Sequence, residues 1–187
     1  MSESNITKRA LASTMKRLME TKPFAKISVS DICEVCGMHR KSFYYHFKDK
    51  YDLVNWIFYH DFIEITVRDE PDTFSELYKR LCTYFYENRV FYKNALSVTG
   101  QNSFGEYYQE LFEASVKAWL EDDYPDSGRL DLIAAYYSQV SLAALTKWLD
   151  SSPCMPPEEY FALMRDLLDG LAIIAANAPQ ADLEQDQ

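Results

Sequence analysis

The chain has 187 residues, 48% of them apolar and 26% charged, with a formal net charge of −10. That length and apolar content can bury a sizeable core, so the chain should fold. No run reaches the length of a membrane span, no signal-peptide core opens the chain, and four cysteines do not make a disulfide framework, so a reduced, cytoplasmic protein is expected.

The net charge conceals a polarity. Through Lys50 there are ten Lys or Arg against five Asp or Glu, whereas from Tyr51 onward there are nine against 24. Charges that only decorate solvated faces do not require this division, but a basic head that meets nucleic acid, carried on an acidic body, does.

Residues 5 to 21 read as a first helix, with Leu11, Met15 and Leu18 inward and Lys8, Arg9, Lys16 and Arg17 outward, able to approach phosphates. Pro23, Phe24 and Ile27 bridge to a second helix capped by Ser28 with Asp31 in capping-box spacing. Its apolar stripe is Val29, Ile32, Cys33 and Cys36, and Gly37 supplies the left-handed residue that ends it. The Cys33-x-x-Cys36 pair lies on that core stripe and no second Cys/His pair follows at zinc-finger spacing, so buried small hydrophobes are expected and no metal or cofactor.

The next helix, Arg40 to Phe47, turns Phe43 and Phe47 inward and leaves Arg40, Lys41, Ser42, Tyr44, Tyr45 and His46 outward or at its start. Two short helices joined by a glycine turn, the second basic, hydroxylic and aromatic outside, describe a helix-turn-helix whose second helix enters the major groove. Arg and Lys can donate to guanine O6 and N7, while Ser, Tyr and His donate to phosphate oxygens that fix the register.

From Lys50 to about Arg68 a long helix carries Val54, Ile57, Phe58, Phe62 and Ile65 on one side and Trp56, Tyr59 and Ile63 on others. A helix apolar on most of its circumference must be surrounded, so it links head to body. Pro71 and Asp72 break the chain, and Thr73 with Glu76 caps a helix to about Asn88. A short segment follows from Val90 to Val98. Ser103 with Glu106 opens a helix to about Asp122, closed by YPDSG from Tyr124. Arg129 to Asp150 and Pro157 to Ala176 are the last two helices, and Asn177 to Gln187 reads as a frayed tail.

No strand pattern occurs, so the expectation is an all-α protein of about nine helices. Residues 1–50 form a three-helix DNA-binding domain, and residues 51–187 form an effector-binding and dimerisation domain. The last two helices hold excess apolar surface: Ile133, Tyr137, Val140, Ala144 and Trp148 on one, and Phe161, Met164, Leu167, Leu168, Leu171 and Ile174 on the other. Small residues Ala134, Ser138, Ser141 and Ala144 permit close approach, and a twofold four-helix interface is the natural use. A homodimer also sets two recognition helices about 34 to 36 Å apart, the spacing of successive major grooves in a palindrome. Of the body's aromatics, Trp56, Tyr84, Tyr92, Trp119 and Tyr136 are the effector-binding candidates. The acidic excess hints at a cationic effector.

The run from Ile27 to Leu53, with the signature FYYHFKDKYDL, resembles the DNA-binding domain of TetR-family transcriptional regulators. That resemblance covers about fifty N-terminal residues. It implies base contacts from Arg40 and Lys41, base or phosphate contacts from Ser42 and Tyr44, and phosphate contacts from Ser28, Ser30, Tyr45, His46 and Lys50. His39 stands where the family usually has a Ser or Thr cap, which leaves a weaker cap and a further group that can reach DNA. The resemblance also implies that effector binding moves the linking helix and changes the spacing of the heads.

The expected function is therefore a repressor of transcription, released from a double-stranded DNA operator by a small molecule. The alternative keeps the DNA contact but puts a partner protein in place of the small molecule, because the body resembles the dihydroxyacetone-kinase regulator branch of the family. An enzyme is not expected: there is no Gly-rich phosphate loop, no Gly-x-Ser-x-Gly elbow and no metal spacing among His39, His46 and His60.

Overall fold

The computed structural model describes residues 3–69, 71–123 and 127–176. The expected tail from Asn177, the Tyr124 turn, and the side chains of Leu171 and Ile174 lie outside the described residues. The protein is all-helical. Among the described residues the helices are α1 (Glu3–Thr21), α2 (Val29–Cys36), α3 (Arg40–His46), α4 (Lys50–Phe58, a π-turn at Tyr59–Ile63, then Glu64–Arg68), α5 (Phe74–Glu87), α6 (Arg89–Leu96), α7 (Phe104–Leu120), α8 (Ser127–Asp150) and α9 (Pro157–Ala176). None is long and apolar enough to cross a membrane.

Local chemistry sets the helix starts. Ser28 Oγ accepts from the Asp31 amide at 3.1 Å while Asp31 accepts from the Ser28 amide at 2.7 Å, a complete capping box. Thr73 and Ser103 cap α5 and α7, each accepting from an amide three residues on, while Glu76 and Glu106 accept from the Asp72 and Asn102 amides just before the caps. Gly37, at φ 67°, ends α2 in the left-handed conformation, and the Met38 amide reaches back to Cys33 O at 2.9 Å.

The head packs α1 to α3 around Leu11, Met15, Met19, Phe24, Ile27, Ile32, Cys33, Phe43 and Phe47, all buried. Cys33 belongs to that core, while Cys36 lies against α1, its thiol 3.3 Å from Thr14 Oγ1. Met19 joins Leu11 and Met15 on the buried stripe of α1, whereas Leu18 is only half-buried.

Helix α4 carries the head into the body. Phe58 is its pivot: its ring lies 5.4 to 6.0 Å from those of Phe62, Tyr84, Phe85, Tyr92 and Phe104, so four helices converge on one side chain. Two polar clamps supplement this apolar joint. Asn94 on α6 accepts from the Phe24 amide at 2.7 Å and donates to Met19 O and Lys22 O at 3.0 and 2.8 Å. Lys16 on α1 pairs with Asp61 in the π-turn at 2.6 Å.

In the body, α8 lies along α7 and buries Leu130, Ala134, Ser138, Ser141, Leu145, Trp148 and Leu149. This corrects part of the interface expected from sequence. The small residues Ala134, Ser138 and Ser141 let α7 approach within the same chain. Trp148 is likewise internal, stacked on Tyr160 of α9 at 3.9 Å and donating its indole N–H to Met155 O at 2.9 Å. Among the described residues, the large apolar side chains that α8 and α9 leave exposed are Leu132, Tyr136, Tyr137, Val140, Leu163, Leu167 and Leu168.

Candidate nucleic-acid interface

Burying Phe43 and Phe47 rotates α3 so that its remaining side chains face outward together. His39, Arg40, Lys41, Tyr44 and Tyr45 are exposed, Tyr45 by 82%, and Ser42 and His46 are half-buried. The Arg40 guanidinium rests over the Tyr44 ring, 5.9 Å from its centroid, with one nitrogen 3.4 Å from Tyr44 Oη. That contact orients the guanidinium yet leaves most of its five donors free. Tyr45 packs edge-on against His46 at 4.9 Å. No carboxylate stands on α3, so nothing on this helix opposes an approaching phosphate.

His39 occupies the N-cap position of α3, but its ring makes no capping hydrogen bond, and only its carbonyl accepts, from the Ser42 amide at 2.9 Å. Ser28 and Ser30 are exposed at the start of α2, with Ser28 Oγ engaged in the capping box.

Lys50 is placed differently. Its ammonium turns inward and donates to Phe24 O and Ile27 O at 2.8 Å each and to Ala25 O at 3.3 Å, which occupies its three hydrogens, and it sits over the Phe24 ring at 4.5 Å. Here Lys50 braces the loop between α1 and α2. Lys50→Met keeps the stem but leaves the partly buried Phe24 and Ile27 carbonyls without their charged donor, and is expected to cost about 1–3 kcal/mol in urea denaturation. A loss within error would show that water replaces the ammonium.

The capping box has a pH signature. The Ser28 hydroxyl, and after it Lys22 at 2.9 Å and the Ser28 amide, hold Asp31 well below the usual carboxylate range. A depressed folded-state pKa means that this stabilisation is complete above the unfolded value near about 4 and is lost as pH falls from there toward the lower folded value. Acid titration of helical signal in the Asp31→Asn variant is expected to lack that component. A variant curve superimposable on the parent's would remove the capping box from the account.

The effector candidates separate into different environments. Tyr84 and Tyr92 share a hydrogen bond at 2.6 Å inside the aromatic core, where burial pushes both hydroxyls well above the usual tyrosine range. Trp56 stacks on His60 at 4.7 Å and lines a polar groove between α1 and α4. Tyr136 is 67% exposed on the outside of α8. Trp119 alone among the five lines the apolar cavity of about 300 Å³ between α5, α7, α8 and α9. Its other walls include Phe74, Tyr78, Phe112, Ser141 and Met164, and no lining residue is charged, which removes the hint of a cationic effector at this site. Sequence reasoning missed Phe74 and Tyr78. Their spacing of one helical turn on α5 was the available signal.

A turn-linked pair of short helices with a basic, aromatic outer face, joined to a helical body by a shared helix, defines a DNA-binding transcriptional regulator. Residues 11–57 match the family described as bacterial regulatory proteins, tetR family, and residues 72–170 match a transcriptional regulator C-terminal region. The chain belongs to the TetR family.

Similar proteins include the dhaKLM operon transcriptional activator DhaS of Lactococcus lactis subsp. lactis, 36% identical over 96 residues, which are half of each chain. The transcriptional regulator EthR of Mycolicibacterium smegmatis is 46% identical over 41 residues, 22% of this chain and 19% of its own. The matched parts thus span half or less of these relatives. A solved structure described as dihydroxyacetone kinase operon activator DhaS superposes with a TM-score of 0.65 at 23% identity, over 91% of this chain and 98% of its own, a likeness of fold. These families and relatives are transcriptional regulators, not enzymes.

Proposed function

We propose that the chain is a homodimeric repressor that occupies a palindromic operator and is released when a small molecule enters the body cavity. The observation that carries the DNA half is the outer face of α3, where Arg40, Lys41, Tyr44 and Tyr45 stand exposed together while Phe43 is fully buried behind them. Arg40 and Lys41 read base edges, and Ser42 and Tyr44 reach bases or phosphates. Ser28, Ser30, His39, Tyr45 and His46 hold the backbone. Lys50 acts one step back, fixing the loop from which α2 starts.

A dimer supplies the second recognition helix, and the exposed apolar residues of α8 and α9 support pairing through that face. Val140→Glu places a charge in that face and is expected to give a monomer in analytical ultracentrifugation, with loss of tight operator binding. A Val140→Glu protein that stays dimeric would move the interface elsewhere.

The function is tested by fluorescence anisotropy with DNA from the region upstream of the chain's own gene, and by a reporter in cells lacking the protein. Tight, salt-sensitive binding and increased transcription in the deletion are expected. Decreased transcription would make the protein an activator, as the DhaS relative is by name, and absent binding would refute the reading. A partner protein as effector is the second reading, favoured by the apolar extent of the α8–α9 surface. It predicts that apolar surface on this face remains exposed in the dimer.

A further inference from the structure

The cavity in the body is small and its polarity is uneven. Its volume of about 300 Å³ stands at the lower end of the roughly 300–1,000 Å³ of small-molecule pockets. Rings dominate the walls: Phe74 lies 5.8 Å from Phe112 and 6.4 Å from Trp119, and Tyr78 lies 6.1 Å from Phe112. Such surfaces accept a flat ring by edge and face contacts.

Hydroxyls gather along one wall. Ser141, which lines the cavity, is 2.6 Å from the buried Tyr108 hydroxyl. Two hydroxyls have two hydrogens, and the bond between them uses one. Tyr78, another wall residue, is linked to Ser141 and to Tyr160, which stands behind the lining and is 4% exposed. Tyr78 and Ser141 are thus the two hydroxyls that the cavity itself presents, backed by Tyr108 and Tyr160. A charged molecule, by contrast, finds no opposite charge in the lining and loses its hydration on entry.

We infer that this cavity takes a small uncharged aromatic molecule carrying one hydroxyl or carbonyl group, which it holds against the Tyr78 and Ser141 wall. The inference rests on the reading of the body as effector-controlled and names the chemistry of that effector. Trp119, Tyr137, Val140 and Leu168 form the exposed outer side of the cavity, and three of them belong to the face assigned to the second copy. The full-length protein is therefore tested as it assembles.

Isothermal titration calorimetry with four probes of one ring system separates the terms: naphthol, naphthalene, naphthoate and naphthylmethylammonium. Naphthol is expected to bind about tenfold or more tightly than either charged probe and several-fold more tightly than naphthalene. Val116→Trp, which fills the cavity, should abolish the heat. Should that variant fail to fold, Tyr78→Phe and Ser141→Ala should each erase the preference of naphthol over naphthalene. Equal or tighter binding of a charged probe, no binding of any probe, or naphthol binding that survives in a folded Val116→Trp protein would overturn the inference. Operator affinity measured with saturating naphthol separates the two claims. Selective binding that leaves DNA affinity unchanged retires the effector reading and keeps the ligand class, whereas operator release without charge selectivity does the reverse.

Discussion

Arg40→Ala is expected to weaken operator binding roughly ten- to hundredfold and to relax discrimination at one base pair, with little change in folding stability. The expectation follows from position and chemistry together. Arg40 is exposed on α3, held over Tyr44, and carries the two-pronged donor that suits guanine, a pairing worth about 1–3 kcal/mol of discrimination. Lys41→Ala should behave differently if its ammonium also serves phosphate: affinity falls across all sequences and the salt slope drops by about one. Anisotropy titrations of both variants at several salt concentrations, on operator and scrambled duplexes, distinguish base reading from charge neutralisation. A double variant that binds like the parent would end the assignment of α3 as the recognition helix.

Phe58→Ala should produce the largest loss of stability of any single change named here, about 3–5 kcal/mol, because a fully buried ring is removed from among five others that belong to four helices. At roughly 2–4 °C per kcal/mol for a chain of this size, the melting temperature should fall by about 6–20 °C. Urea and thermal unfolding measure this directly. The position adds a second expectation: since Phe58 joins α4 to α5, α6 and α7, the variant should weaken any influence of the body on DNA affinity before the head itself unfolds. A loss under about 1 kcal/mol would mean that the cluster closes over the vacancy and that the joint lies elsewhere.

What could be read from sequence was what depends on near neighbours. The caps at Ser28, Thr73 and Ser103, the Gly37 stop and the inward pair Phe43 and Phe47 are set within a few residues, and each stands where the pattern puts it. Lys50 and Asn94 could not be read in this way, because the carbonyls they engage lie far away in the chain. Asn94 bonds to residues seventy or more positions earlier. Aromatic residues were ambiguous for a related reason: ring chemistry says that a side chain is buried, not against what. Tyr78 and Tyr84 share α5, yet one walls the cavity and the other hydrogen-bonds inside the core. The stripe of small residues on α8 was visible, but sequence alone does not say whether a neighbouring helix comes from the same chain or from another.

The wide turn at Tyr59–Ile63 inserts one residue more than a regular coil holds, with the Glu64 amide reaching Tyr59 O. Because the widened turn takes up its extra residue locally, the part of α4 ending at Arg68 keeps the facing it would have in a regular helix one residue shorter. Deleting one residue there is therefore expected to tighten the winding and displace Asp61 from Lys16, while Glu64 through Arg68 keep their present sides. Lys16 thus grips the connecting rod at the one stretch where its winding can change without turning its far end.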